Sequence, residues 1–77
     1  MITKKLGNRL RELREQKGLT QERFALKIGI DRSYYAGVEL GQRNISLKNL
    51  EKIAHGLDLS LSELFKGVEE NGAEKPC

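Results

Sequence analysis

Three consecutive polar side chains, Arg32, Ser33 and Tyr34, follow directly after Asp31 in this sequence. Asp commonly caps a helix N-terminus, so the three residues are expected to open a helix together. Arg32 can donate two hydrogen bonds to guanine O6 and N7, and Ser33 can bond a base or a phosphate. Tyr34 can pack on a thymine methyl group or a sugar-phosphate, or else lie half-buried against the preceding helix. The triplet has the chemistry needed to read base edges in a DNA groove.

The triplet lies within residues 20–39, where the apolar spacing indicates two short helices. The apolar and small residues at helical spacing are Phe24, Ala25 and Ile28 in the first helix and Tyr35 and Val38 in the second. Gly29 stands between them and can take the positive φ that a tight corner needs. This is the pattern of a helix-turn-helix, whose second helix can enter a DNA major groove. Gln21 begins the first helix, where exposed N–H groups suit a phosphate, although simple solvent exposure is the alternative.

Helical patterns also fill the rest of the chain. We predict helices at about residues 3–16, 21–28, 32–40 and 47–56, and a fifth that follows the capping box at 60–63 and ends near residue 66. Since no strand pattern occurs in the sequence, the expected fold is all-α. Residues 1–66 would form one domain, and residues 67–77 a flexible C-terminal tail.

Charge is unevenly distributed along the chain, whose net charge is +3 and whose isoelectric point is near 9.2. Eleven Lys and Arg oppose five acids up to residue 48, whereas three Lys oppose six acids beyond it. A basic front part suits a polyanionic partner, although a solvated charge pattern without any partner is the alternative. The sequence has no apolar run of membrane-spanning length and no signal peptide, so we expect a cytoplasmic protein without membrane contact.

Residue types that could support catalysis or bind metal are isolated in this sequence. His55 has no Cys or carboxylate at ligand spacing, and Cys77 is a single cysteine on the expected tail. Glu69 and Glu70 are adjacent in that tail and cannot hold a fixed separation for acid–base work. We therefore expect no enzyme, no cofactor, no metal and no small-molecule ligand.

The sequence resembles the Cro/repressor superfamily, which includes lambdoid phage repressors and bacterial xenobiotic-response-element regulators. The similar strings are RELREQKGLTQE (11–22) and GQRNISLKNLEKIAHGLDLSLSELF (41–65). The run IDRSYYAGVELGQRNISLKNLEKIA is most similar to controller proteins of restriction–modification systems. The resemblance covers about residues 3–66 and implies a five-helix, lambda-repressor-like DNA-binding domain whose helices 2 and 3 form the helix-turn-helix.

The resemblance also implies which residues contact DNA. It places Gln21 on a phosphate and assigns DNA-backbone contacts to the loop and helix 4 start, at Arg43, Asn44, Ser46 and Lys48. Arg43 could alternatively enter a minor groove, and Lys48 could be an ordinary surface lysine. Relatives often carry a longer polar side chain where this chain has Gly37, so specificity would depend more on DNA shape.

Three structural features follow from the same resemblance. Arg14 is expected to pair with Glu39 and tie helix 1 to the end of helix 3. Relatives usually carry an aliphatic residue in place of Tyr35, so we expect its hydroxyl to reach a partner or the domain edge. A two-fold dimer interface is expected from Leu59, Leu61, Leu64 and Phe65.

The implied function is that of a sequence-specific transcriptional regulator, a homodimer on double-stranded, pseudo-palindromic operator DNA. As a restriction–modification controller it would regulate its own gene and an endonuclease gene, and activation would require contact with RNA polymerase. A phage or mobile-element repressor is an alternative with the same residue roles. An antitoxin or protein-interaction module is an alternative of another class, and activator or repressor action stays open.

Overall fold

Five helices make up the fold of the computed structural model, which describes residues 2–68. They are α1 (Ile2–Gln16), α2 (Gln21–Ile28), α3 (Arg32–Glu39), α4 (Leu47–Gly56) and α5 (Leu61–Leu64). The described residues form no strand, which agrees with the predicted all-α class. Most of the predicted tail, residues 69–77, lies outside the described residues.

The starts of α2 to α5 are fixed by side chains that cap the helix N-termini. Thr20, Asp31 and Ser46 each accept a hydrogen bond from the backbone N–H three residues later, at 3.0–3.2 Å. Ser60 and Glu63 form the reciprocal capping box that the sequence predicts. These caps explain why the starts of these helices agree with the sequence.

The ends of the third and fifth helices differ from the prediction. Helix α3 stops at Glu39 rather than Leu40, and α5 stops at Leu64 rather than near Lys66. The chain turns after Leu64, and Val68, which the sequence places in the tail, is buried with 1% exposure. The packed core therefore extends two residues beyond the predicted domain boundary at residue 66.

The core lies between helices that pack in series: α1 against α3, α3 and α4 against α2, and α5 against α4. Its largest fully buried side chains are Leu10, Phe24, Tyr35, Val38, Ile53, Leu57, Leu64 and Val68. The Phe24 and Tyr35 rings pack edge to face, with centroids 5.3 Å apart, and so join the two helices of the helix-turn-helix. Gly29 ends α2 at a φ of 73°, the left-handed conformation expected at this corner.

Helix α1 crosses closely over the end of α3. A Cβ atom at Gly7 would collide with the carbonyl oxygens of Val38 and Glu39. Because Gly7 has no side chain, the backbones of the two helices can approach each other here. This crossing brings Arg14, about two turns further along α1, to the Glu39 end of α3.

Candidate nucleic-acid interface

Arg32 and Ser33 are exposed at the N-terminus of α3. Asp31 caps the helix just before them, with its side chain accepting from the Tyr34 backbone N–H at 3.0 Å. The cap fixes the first turn of α3, so that the two side chains leave a rigid helix rather than a mobile loop. The structure thus places both residues where they could reach a base edge, and their base contacts stay a prediction.

Tyr34 lies against the loop that follows α3. Its hydroxyl donates a hydrogen bond to the Asn44 backbone oxygen at 3.2 Å, and the Arg43 guanidinium carbon lies 5.8 Å from the centroid of its ring. The side chain is partly buried and also packs on the core. Tyr34 therefore connects α3 to the loop, and any contact with DNA would come from the part of the ring that stays exposed.

The loop and the start of α4 present the other predicted backbone contacts. Arg43, Asn44, Ser46 and Lys48 are all exposed. The Ser46 hydroxyl accepts from the Asn49 backbone N–H at 3.2 Å, and a hydroxyl that accepts one bond can still donate its own proton to a phosphate. These four residues lie on one continuous segment adjoining α3, as the prediction of phosphate contacts requires.

Arg14 and Glu39 form the ion pair that the sequence predicts. The Arg14 Nε donates to Glu39 Oε2 at 2.7 Å and its Nη2 to Glu39 Oε1 at 3.1 Å, a bidentate geometry. The third donor, Nη1, bonds the Leu19 backbone oxygen at 2.6 Å. Both residues are buried, with 7% and 6% of their surface exposed. The pair joins α1, the α1–α2 connection and the end of α3.

Gln21 completes this cluster from the start of α2. Its Nε2 donates to Glu39 Oε1 at 2.9 Å, so part of its side chain is already bound within the protein. Burial alone would raise the pKa of Glu39, but the hydrogen bonds from Arg14 and Gln21, together with the nearby Tyr35 hydroxyl, prevail and hold this pKa below its ordinary value. The hydrogen bond to Glu39 also raises the pKa of Arg14. The phosphate contact of Gln21 stays a prediction, with less of its amide available than the sequence indicates.

Tyr35 is buried beside the Arg14–Glu39 ion pair. Its ring is fully buried, as the spacing predicts, and its hydroxyl is buried next to the Glu39 carboxylate and the Arg14 guanidinium, without a hydrogen bond of standard geometry. Burial, together with the nearby Glu39 carboxylate, raises the pKa of this hydroxyl, so Tyr35 stays neutral. The hydroxyl therefore does not reach the domain edge, and the polar groups beside it are those of the Arg14–Glu39 pair.

Comparison with known proteins matches the same part of the chain, from α1 to α5. A family model described as helix-turn-helix matches residues 10–64, well over half of the chain. The chain belongs to the helix-turn-helix family. It is 52% identical over 67 residues to control protein C.MunI from Mycoplasma, a match covering 86% of this chain and 90% of that protein.

Two solved structures of restriction–modification controller proteins share the fold of this helix-turn-helix domain. The crystal structure of C.AhdI from Aeromonas hydrophila is 57% identical with a TM-score of 0.79, and the match covers 82% of this chain and 96% of that one. The C.Esp1396I tetramer in complex with its natural 35 base-pair operator is 35% identical with a TM-score of 0.80, covering 88% and 90%. C.Esp1396I is also known bound to a 19 base-pair DNA duplex.

The predicted dimer surface of this helix-turn-helix domain is smaller than the sequence indicates. Leu61 is 38% exposed, and Leu59 and Phe65 are partly buried. Leu64, however, has 0% exposure and belongs to the core of its own chain, so assigning it to an interface with a second copy is wrong. Leu64 lies one turn after Ser60 and points into the core of its own chain. Leu59, Leu61 and Phe65 remain as candidates for the dimer interface.

Arg9 is a residue whose role the sequence does not show. Its Nε donates to the Leu64 backbone oxygen at 3.2 Å and its Nη2 to the Glu63 oxygen at 3.0 Å. These carbonyl groups belong to the C-terminus of α5, which has few helical partners of its own. Spacing places Arg9 only on the polar side of α1, and no local signal identifies a bond to a residue 55 positions away.

Neither a metal-ion cluster nor a membrane-spanning helix occurs in the part of the chain that the structure describes. Within residues 2–68, no three His, Cys, Asp or Glu side chains lie together in a way that could hold a metal ion. None of the helices α1 to α5 is long and apolar enough to cross a bilayer.

Proposed function

We propose that this protein is a sequence-specific DNA-binding transcriptional regulator that acts as a homodimer on a pseudo-palindromic operator. The observation that carries the proposal is the start of α3, where Arg32 and Ser33 are exposed on a capped helix. The far end of the same helix is fixed by the Arg14–Glu39 ion pair. An exposed pair of base-binding side chains on a fixed helix is what reading of the major groove requires.

The proposed contacts divide into two groups. Arg32, Ser33 and the exposed part of Tyr34 would contact bases, with Arg32 bidentate on a guanine. Contacts to the DNA backbone would come from Gln21 and from the exposed segment at Arg43, Asn44, Ser46 and Lys48. Backbone contacts set position and affinity, whereas base contacts select the sequence.

A role as a restriction–modification controller is the specific form of this proposal. Its support is the similarity to C.MunI and C.AhdI, both above 50% identity over most of either chain. Such a controller would regulate its own gene and that of an endonuclease in the cytoplasm, without a catalytic step of its own. The operator complexes of C.Esp1396I support DNA as the partner and an assembly of more than one copy.

Dimerisation would proceed through α5 and the turn before it. Leu61 is exposed, and Leu59 and Phe65 each keep some exposed surface. A two-fold dimer would set two copies of α3 about 34 Å apart, one helical turn of DNA. A contact with RNA polymerase, if the protein activates transcription, would use exposed residues near the end of α3, such as Leu40 at 60% exposure.

Selection of binding sites from random DNA duplexes with the purified protein tests the proposal. We expect one pseudo-palindromic sequence to be enriched. On that duplex Arg32→Ala should lose about 1–3 kcal/mol of binding free energy and relax the preference at one base position. Arg11→Ala is the matched control, since Arg11 is exposed on α1 and pairs with Glu15. It should bind like the wild type.

Two results would contradict the proposal. The first is an absence of DNA binding even at low salt, where phosphate contacts are strongest; the protein would then be an interaction module or antitoxin of the same fold. The second is an equal loss from Arg32→Ala on enriched and on random duplexes, which would mean that Arg32 contacts only the backbone.

A further inference from the structure

The side chain of Arg43 fills the space beside Gly37 on α3. A Cβ atom at position 37 would lie 2.8 Å from Arg43 Cγ and 3.5 Å from its Nε. Carbon atoms in ordinary contact are about 3.5–4.0 Å apart. Any residue other than Gly at position 37 would therefore displace the Arg43 side chain by about 1 Å.

Tyr34 holds Arg43 from a second direction. The Arg43 guanidinium carbon lies 5.8 Å from the centroid of the Tyr34 ring, a cation–π geometry. The Tyr34 hydroxyl binds the backbone oxygen of Asn44, the residue next to Arg43. Since Tyr34 and Gly37 are three residues apart on α3, they lie on the same helix face. Arg43 thus lies along that face, with its side chain and its neighbouring backbone both held by α3.

The guanidinium of Arg43 keeps its hydrogen-bond donors available. Arg43 is exposed, and among residues 2–68 its side chain takes part in no ion pair and no hydrogen bond. A positively charged group that is fixed in place and has unused donors is suited to bind a base edge or a phosphate. The Arg43 guanidinium lies against α3, the helix that also presents Arg32 and Ser33.

We propose that Gly37 sets the affinity for DNA, because its missing side chain allows Arg43 to lie along α3 as part of the DNA-contacting surface. The loop arginine takes the place of the longer side chain that α3 itself lacks at position 37. Gly37 is a positioning residue, since it acts through Arg43 and needs no contact with DNA. The inference rests on the proposed function. It adds Gly37 to the residues that matter for DNA binding, although the sequence shows it only as a position without a side chain.

The magnitude follows from the ordering of one long side chain. Fixing a flexible side chain before binding is worth about two- to twelvefold in affinity. Gly37→Ala should therefore weaken binding to the enriched duplex by about that factor. Ala is a better helix former than Gly, so the same variant should melt at the wild-type temperature or above it. A loss of affinity without a loss of stability separates positioning from general damage to the fold.

A double-mutant cycle of Gly37→Ala and Arg43→Ala provides the test. Binding of all four proteins to the enriched duplex is measured by fluorescence anisotropy at one salt concentration, and their thermal unfolding by circular dichroism. In the Arg43→Ala background the colliding Cγ is gone, so Gly37→Ala should have no further effect on affinity. The two substitutions are then coupled, as expected for residues acting through one another. Tyr34→Leu, which removes the ring beneath the guanidinium, should also be coupled to Arg43→Ala. Its coupling should be partial, because the loss of its own contact with DNA remains when Arg43 is absent.

Two outcomes would overturn the inference while leaving the proposed function intact. One is wild-type affinity of Gly37→Ala. The other is the same loss from Gly37→Ala with and without Arg43, which would mean that the added methyl group meets the DNA directly. If the wild-type protein enriches no duplex at all, the proposed function itself is refuted, and the inference with it.

Discussion

Replacement of Arg14 by Ala should strongly destabilise the fold. The Arg14 side chain donates three hydrogen bonds, two to Glu39 and one to the Leu19 backbone oxygen. Glu39 has only 6% of its surface exposed. Without Arg14, its carboxylate would keep only the hydrogen bond donated by Gln21. Removing one partner of a buried ion pair costs about 3–5 kcal/mol, mainly because the other charge stays buried.

That loss is large compared with the whole stability of the domain. For 77 residues the free energy of unfolding is expected to be about 4–12 kcal/mol. A loss of about 3 kcal/mol corresponds to a fall in Tm of at least about 12 °C in a domain of this size. Urea and thermal unfolding followed by circular dichroism measure both quantities. Protein concentration must be held constant, because dimerisation would couple to unfolding.

Arg11→Ala is the control for Arg14→Ala. Arg11 pairs with Glu15 at 3.2 Å, but the two side chains are 64% and 54% exposed, and such helix pairs contribute only about 0.3–0.5 kcal/mol. Arg14→Lys keeps the charge but loses the bidentate geometry, so its stability should lie between those of the wild type and Arg14→Ala. If the free energies of unfolding of Arg14→Ala and Arg11→Ala differ by less than about 1 kcal/mol, the reasoning on the buried pair is wrong.

Three further predictions concern the core, the dimer and pH. Tyr35→Phe should leave stability unchanged or raise it by about 1–3 kcal/mol, because it removes a buried hydroxyl that makes no hydrogen bond of standard geometry. A marked loss in urea unfolding would contradict this and would show that the hydroxyl bonds the neighbouring Glu39 carboxylate. Leu64→Ala should cost about 2–5 kcal/mol of stability, because Leu64 is fully buried. Leu61→Ala should weaken the dimer in sedimentation without unfolding the monomer. The opposite pattern would show that Leu64 belongs to the dimer interface. The pKa of Glu39 is lowered in the fold, so its contribution to stability is complete above the ordinary value of 4.5 and is lost as pH falls through the folded value. Glu39→Gln should therefore show a flatter loss of stability below about pH 5 than the wild type, and equal slopes would contradict the assignment.

Helix starts were predictable because they depend on neighbouring residues. The caps at Thr20, Asp31 and Ser46 are local signals, and the bounds of α2 and α4 agree with the structure. The end of α5 depends instead on contacts distant in sequence. Its last carbonyl groups bond Arg9 on α1, and Val68 packs into the core without any periodic pattern around it.

The candidate site was predictable to a similar extent. The spacing identified Tyr35 as a core residue, but it could not show what surrounds the hydroxyl at the end of the side chain. The sequence likewise identified Gly37 as a position without a side chain, and the structure shows that Arg43 fills that space. Direction follows from helical periodicity, whereas the neighbours of a side-chain tip depend on the loops and helices that pack against it.

The hydrogen-bonded cluster of Arg14, Gln21 and Glu39 determines how accurately α3 is oriented. Arg14 and Gln21 hold the helix at its C-terminal residue, whereas Arg32 lies at its first residue. With a rise of 1.5 Å per residue, the two ends are about 10 Å apart. A tilt of about 10° at the anchored end would move Arg32 by about 2 Å, enough to break a bidentate bond to a base. Substitutions buried around Glu39 could therefore change which DNA sequence is preferred, even though none of those residues touches a base.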